Sequence, residues 1–446
     1  MSDYGRRRFY LPSIMRINRL LLAINIGIAI LVLPACQRRQ QEAGVVHLRA
    51  WTMWGGDEAE AFQVVVDEFN RRHPHIQVHN LAAVEDTKII RAIVANDPPE
   101  IFTLRDPGYL GSLAGNGALL CLDEFFKQSG LKESDYAPGS LSQCRYNGTL
   151  YAMIYLMDCF ALLWNKDAFR EAGLDPERPP KTLSELLEYA RKLTRRDANG
   201  RIVRIGMMPP DPLIIISAFG GQFIDPKTGM PTADHPRNVE ALEWYRKLIE
   251  VQGGAEEVNA FQAGFGQEMG INNPFLVGKV AMMINGQWNP YWFQRYGPKV
   301  RYGAAPIPYP DQYPEQKNPT WLGGNIFCIP VNCKHPKEAW EFLRWTQTVE
   351  AQVLFASTMH GVPNILEARK ERSLREGEPW KRAFAVFMDV ANSPNARHFP
   401  PTPITGLYQY EIYSAADFVR YGTKTPAQAL RDVQKRVYRE MLFWRR

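Results

Sequence analysis

Three tryptophans stand in loops rich in Gly, Pro and Asn instead of on the apolar face of a helix. Trp54 precedes Gly55-Gly56, Trp288 follows Asn285-Gly286-Gln287, and Trp321 precedes Leu322-Gly323-Gly324-Asn325. A flat indole suits the apolar C–H face of a sugar ring. Carboxylates and amides suit the belt of hydroxyls, because each makes several hydrogen bonds at once. One such tryptophan is more often core than ligand contact, but three in separate glycine-flanked loops point to a binding site. Its candidates are Trp54, Gly55, Trp288, Trp321, Gly323, Gly324 and Asn325.

Signatures of bond-making chemistry are missing: the chain has no G-x-S-x-G, no G-x-x-x-x-G-K-[ST], no G-x-G-x-x-G and no H-E-x-x-H. His73, His75 and His79 alternate, so in one continuous strand they would face the same side, as metal ligands could. Pro74 interrupts that run, and an exposed connection without metal or cofactor is the expectation.

The elements that must position these loops are legible from periodicity. Val45 to Trp51 reads as a strand, and Trp51 to Asp57 as a loop. A helix follows, whose Phe62, Val65, Val66 and Phe69 recur at i, i+3, i+4 and i+7. Ile76 to Asn80 is a second strand, and Pro98-Pro99-Glu100 introduces the apolar Ile101-Phe102. This β-α-β rhythm argues for a layered α/β fold. Thr182 with Glu185 forms a capping-box pattern ahead of Leu183, Leu186, Leu187, Ala190 and Leu193 on one helix face. Val239, Leu242, Tyr245, Leu248 and Ile249 repeat the pattern, and Ala339, Phe342, Leu343 and Thr346 follow it too. Val280 to Ile284, bounded by Gly278 and by Asn285-Gly286, reads as a strand buried on both faces.

With 446 residues, 45% hydrophobic and 22% charged, the chain can bury a large core, and two lobes are the natural organisation. Residues 1 to 35 hold five Arg and one Asp. Without them the charge falls from 53 minus 47, or +6, to 48 minus 46, or +2. The remaining chain is nearly neutral, with no charge block suited to nucleic acid. Beyond Cys36 lie Cys121, Cys144, Cys159, Cys328 and Cys333, an odd number that leaves at least one thiol free. Cys121 with Cys144, or Cys328 with Cys333, are conceivable pairs, and small buried hydrophobes are the alternative.

The N-terminus carries Arg6, Arg7, Arg8, Arg16 and Arg19, then an almost uncharged run from Leu20 to Leu33 that is short for a membrane span. The junction Leu33-Pro34-Ala35-Cys36 resembles the lipobox of bacterial lipoproteins. That resemblance implies a signal peptide over 1–35, a diacylated Cys36, a flexible tether over 36–44 and a body outside the cytoplasm on the periplasmic side. An uncleaved anchor with an incidental Cys is the alternative. The glycosylation sequon Asn147-Gly148-Thr149 is taken as chance in a chain of bacterial type.

From Val45 to Arg446 the sequence resembles the extracellular solute-binding proteins of ABC importers, the group that includes the maltose- and other sugar-binding proteins. The matching pieces occur in order. They are Trp51 to Gly56, Pro99 to Phe102, Leu163-Trp164-Asn165-Lys166-Asp167-Ala168-Phe169, Pro180 to Leu186, Phe275 to Gly286, and Ala339-Trp340-Glu341-Phe342-Leu343. Trp164 stands where the family usually has Tyr, and Glu100 where it usually has Asp.

The resemblance implies a two-lobed α/β fold of the type II periplasmic-binding class, each lobe a mixed sheet flanked by helices. One lobe is expected from 45–157 plus 326–372 and the other from 158–325 plus 373–446, with ligand in the cleft between them. It adds Asp106 and Asp158 as candidate ligand contacts, with Glu85 and Asp86 as further ones. It implies a monomer that delivers a carbohydrate to an ABC permease. Glycerol phosphate esters are the rival ligand, for which Arg397 could supply the charge; a place in a surface loop is its alternative. An exported glycoside hydrolase, with paired carboxylates such as Asp106 and Asp158, is the rival from another class.

Overall fold

The computed structural model describes residues 44–104, 107–266 and 269–445. The signal peptide expected over 1–35, Cys36, the expected tether up to residue 43, and Asp106 lie outside these residues. Val46 to Arg446 forms one unit.

The first half begins as the periodicity predicts. Strand Val46–Trp51 buries Leu48 and Ala50, and it runs parallel to Ile76–Leu81 with Val46 opposite Ile76. The connecting helix Gly56–Arg72 buries Phe62, Val65, Val66 and Phe69, each worth about 1.5–3 kcal/mol when removed from water. Asp57 and Glu58 in its first turn and Arg71 and Arg72 in its last complement the helix dipole. Ile101–Leu104 adds a third parallel strand beside Ala50 and Trp51.

Two long strands then carry the sheet across the molecule. Ala152–Asn165 is 14 residues long and nearly all buried. Its first half pairs antiparallel with Thr320–Cys328, from Ala152 opposite Cys328 to Cys159 opposite Leu322. Its second half pairs with Val280–Gly286 on one side and Tyr302–Ala305 on the other. Thr320–Cys328 in turn pairs with Ile101–Leu104, while Val280–Gly286 pairs parallel with Ile202–Met207. Among the described residues the result is one eleven-stranded mixed sheet. The pairing of Ala152–Asn165 with Thr320–Cys328 slips between Asn325 and Ile326. Asn325 faces Leu156, Ile326 faces Ile154, and Tyr155 is bulged between them.

Several local readings change. Thr182 caps helix Leu183–Leu193 by accepting from the Glu185 amide at 3.3 Å. The Glu185 carboxylate reaches the Lys181 amide at 2.7 Å instead of closing the box on Thr182. Only His79 of the three histidines lies in a strand. His73 ends the first helix, and His75 lies 3.2 Å from Glu341, so no common strand face exists. No cluster of three or more metal-ligating groups occurs among the described residues. All five described cysteines are free thiols, so neither conceivable pair forms; Cys144, Cys159 and Cys328 are buried hydrophobes. Asn147-Gly148 is a two-residue hairpin turn, both residues at positive φ (49° and 83°), which explains those residue types without a modification.

The two departures from the family pattern are structural. Glu100 is buried and accepts from the Arg49 amide at 2.8 Å and its side chain at 3.2 Å. The Trp164 indole donates to the Pro176 carbonyl at 2.9 Å and lies over Gly303, where a Cβ would sit 2.1 Å from the ring.

Candidate functional site

Where the crossing strands meet the ends of two peripheral elements, a cavity of about 460 Å³ opens, within the ~300–1,000 Å³ usual for small-molecule sites. One wall is Met53, Trp54 and Glu58, from the turn after the first strand and the start of the first helix. Gln287 and Trp288 come from the turn after Val280–Gly286, on the other side of the crossing strands in the sheet order. Tyr155, Leu156, Asp158 and Asn325 of the crossing strands lie between, and Met269, Met359 and Gly361 complete the rim.

Local structure fixes each group. Trp54 is only 4% exposed, lying tilted on Phe62 (centroids 4.9 Å) and edge-on to Tyr155 (5.3 Å). Trp288 follows Gly286 because the indole folds back over it: a Cβ on Gly286 would come within 2.2 Å of the ring. Phe160 meets the Trp288 ring edge-on at 5.8 Å, and Pro290 sets the first turn of helix Asn289–Tyr296 directly behind it. Gln287, 2% exposed, joins the two halves. Its carbonyl accepts from the Cys159 amide at 3.0 Å, and its amide donates to Asp158 Oδ1 at 2.8 Å.

That bond favours a charged Asp158, but burial dominates and pushes the carboxyl above its usual range. The Tyr155 hydroxyl is buried with no hydrogen-bond partner, and burial followed by the nearby Asp158 and Glu58 charges raises its pKa. A buried donor left open beside a cavity is a contact awaiting an acceptor. The lining therefore offers aromatic faces, thioethers and a short polar strip. Glu58 and Asp158 are its only charged groups among the described residues.

Of the sequence candidates, the structure brings Trp54, Asp158, Trp288 and Asn325 together. It does not bring Trp321, whose half-buried ring meets Phe223 edge-on at 6.0 Å, away from the cavity lining. Gly55 is the residue before the first helix, and Glu85 is an exposed residue ahead of helix Asp86–Val94; neither lines the cavity. Gly323 and Gly324 serve the sheet. A Cβ on Gly323 would meet that of Asp158 at 3.2 Å, and one on Gly324 would sit 2.3 Å from Ile154 Cδ1.

Sequence reasoning missed Glu58, Tyr155 and Gln287. Gln287, an amide directly after a buried strand and before Trp288, carried a usable signal. Tyr155 sits in an apolar run that reads as core. It reaches the cavity beside its neighbour Leu156 through the bulge, which breaks the alternation of sides.

Residues 55–353 match the profile of the bacterial extracellular solute-binding proteins. This chain belongs to that family. Among solved structures, CpMnBP1 with mannotriose bound is 30% identical, with TM-score 0.76, covering 88% of this chain and all of that one. Its mannobiose complex aligns equally well, at 29% identity and TM-score 0.76 over 88% of this chain and 99% of that one. The maltotriose-binding protein of Pyrococcus abyssi is 26% identical over 70% of this chain but only 64% of its own length. An sn-glycerol-3-phosphate-binding periplasmic protein of Brucella abortus is 34% identical, over 25% of this chain and 26% of its own. The solute-binding protein thus has the two-lobed α/β fold and works outside the cytoplasm. Among its described residues no helix is long and apolar enough to cross a membrane.

Proposed function

We propose that this solute-binding protein captures a neutral carbohydrate in the Trp54–Trp288 cavity and delivers it to an ABC permease. The observation that carries the reading is the make-up of the lining. Two indoles, carried by elements on either side of the crossing strands in the sheet order, line the cavity with Asp158, Gln287 and Asn325, and the charges are acidic. Indoles suit C–H faces, carboxylate and amide suit hydroxyls, and a phosphate would meet like charge. The bound mannose oligosaccharides in the relative named above point the same way.

Ligand bridging the walls would favour a closed arrangement of the lobes that the permease recognises, through its differential affinity for that state alone. The lobes are taken to divide at the crossings near Met157–Asp158 and Asn325–Ile326, and again near 372–373. The receptor is read as a monomer held at the membrane by a lipid on Cys36, which would keep it close to the permease. Asp106 remains a candidate contact from the first lobe.

The glycerol phosphate reading loses its cation. Arg397 lies in a short strand beside Thr320 and Trp321, not in a free loop, donates to the Pro394 and Ala396 carbonyls, and lines no part of the cavity. The hydrolase reading would pair Asp158 with Asp106, or with Glu58, which lines the cavity among the described residues, and no turnover is expected from this receptor.

Thermal unfolding of residues 45–446 against sugars, polyols and glycerol phosphodiesters tests the reading, since a ligand of the folded state raises the melting temperature. A neutral sugar that raises it and is recovered unchanged supports the proposal. A shift with phosphate esters alone, or hydrolysis of the sugar, contradicts it.

A further inference from the structure

A second cavity, of about 580 Å³, adjoins the first. The two share Glu58 and Met359 as lining residues. Its walls come from four separate segments: Asp57 on the first helix, Tyr291, Trp292 and Arg295 on helix Asn289–Tyr296, His360 just after helix Val349–Met359, and Trp380 on helix Pro379–Val390. It lies one helical turn beyond Trp288, on the same helix that the Trp288 turn starts.

As in the first cavity, aromatic rings stand beside polar groups, here with more charged ones. The Tyr291 ring stacks on His360 with centroids 3.5 Å apart, and Trp380 stands edge-on to both, at 5.7 and 5.3 Å. His360 is 7% exposed, and its Nδ1 is buried with no hydrogen-bond partner. Burial, with Arg295 adding to it, pushes the imidazole down to about 4, so at neutral pH it is uncharged, with one nitrogen a donor and the other an acceptor. Such a pair matches a hydroxyl better than an ion. Arg295 pairs with Asp57 at 2.9 Å, which leaves further N–H groups for sugar oxygens, and Lys381 lines the cavity with Glu58, Glu60 and Glu378, so the acidic groups outnumber the cations.

We propose that this cavity is a second carbohydrate subsite, which takes the next sugar units of a linear oligosaccharide whose first units occupy the Trp54–Trp288 cavity, the chain passing between them at Glu58 and Met359. The inference rests on the carbohydrate reading and deepens it: the preferred ligand is longer than a disaccharide. Tyr291 and Trp380 supply apolar faces, His360 bonds a hydroxyl, and the Asp57–Arg295 pair closes over the bound chain.

Calorimetric titration with mannobiose, mannotriose and mannotetraose, and with the maltose series of the same lengths, tests it. Wild-type protein is expected to bind the tetrasaccharide of one series about tenfold more tightly than the disaccharide, an increment of one good polar or stacking contact. His360→Phe keeps the ring stack but removes the hydrogen-bonding nitrogens. Thr358→Trp fills the cavity from a half-buried position outside the first cavity. Both are expected to keep wild-type disaccharide affinity, which also reports an intact fold, and to lose the gain with length. A wild-type affinity independent of length, or a gain that survives in both variants, overturns the subsite while leaving the cleft. Absence of binding by every probe overturns the carbohydrate reading, and the subsite falls with it.

Discussion

Trp288 and Trp321 look alike in sequence and do different work in the structure. Both are aromatics near Gly and Asn, at or beside a strand of the large sheet. Trp288 stands just past the end of its strand, where the chain turns, and its ring folds over Gly286 to face a cavity. Trp321 stands inside Thr320–Cys328, two residues from Gly323, which opposes Asp158, yet its ring meets Phe223. The glycines near Trp321 exist because two strands and their side chains approach closely. The glycine before Trp288 exists because the indole needs its space. Flanking composition alone does not separate these causes; position relative to the strand end does.

The comparison can be broken by removing each ring. Trp288→Ala is expected to weaken binding of a neutral oligosaccharide by about 2–3 kcal/mol, roughly 30- to 150-fold, as measured by calorimetry. Trp321→Ala is expected to leave affinity within about twofold, yet to cost about 1–2 kcal/mol of stability in denaturant unfolding, less than a fully buried tryptophan because it is half-exposed.

Asp158→Asn sharpens the account of the polar strip. It keeps the shape and an acceptor for Gln287 but removes the charge, so affinity is expected to fall by about 1 kcal/mol. Because burial raises the Asp158 pKa, wild-type binding should weaken toward that of the variant as pH falls, starting above the usual carboxylate range, while the variant stays flat. The same shift sets a sign for stability. The folded state favours the protonated carboxyl, so the stability contribution is present below the ordinary Asp pKa and lost as pH rises through the raised one. Ligand-free Asp158→Asn should therefore melt above wild type at neutral pH, and the difference should close in acid. Glu85→Ala, at an exposed position off the cavity, is expected to change stability and affinity by less than about 0.5 kcal/mol.

Much of the scaffold was legible because its elements are periodic. The stripe of Phe62, Val65, Val66 and Phe69 and the apolar run from Val280 to Ile284 each admit one interpretation, and both formed. The histidine spacing carried no face because alternation counts only within a strand, and His73-Pro74 ends a helix. Of the cavity lining, Trp54, Trp288 and Asn325 were singled out from loops rich in Gly and Asn, and Asp158 only through the family resemblance. Tyr155 was not, because its route to the cavity is a register slip opposite Asn325, set by a strand far away in sequence. The second cavity was invisible for a similar reason. Tyr291, His360 and Trp380 are each ordinary aromatic positions until three distant segments pack together.

The most direct test of the central claim is paired titration of wild type and Trp288→Ala with mannotriose, maltotriose and glycerol 3-phosphate. The account requires wild type to bind a neutral sugar and ignore the phosphate, with most of that affinity lost in the variant. Binding of the phosphate alone, or equal sugar affinity in the two proteins, would contradict it.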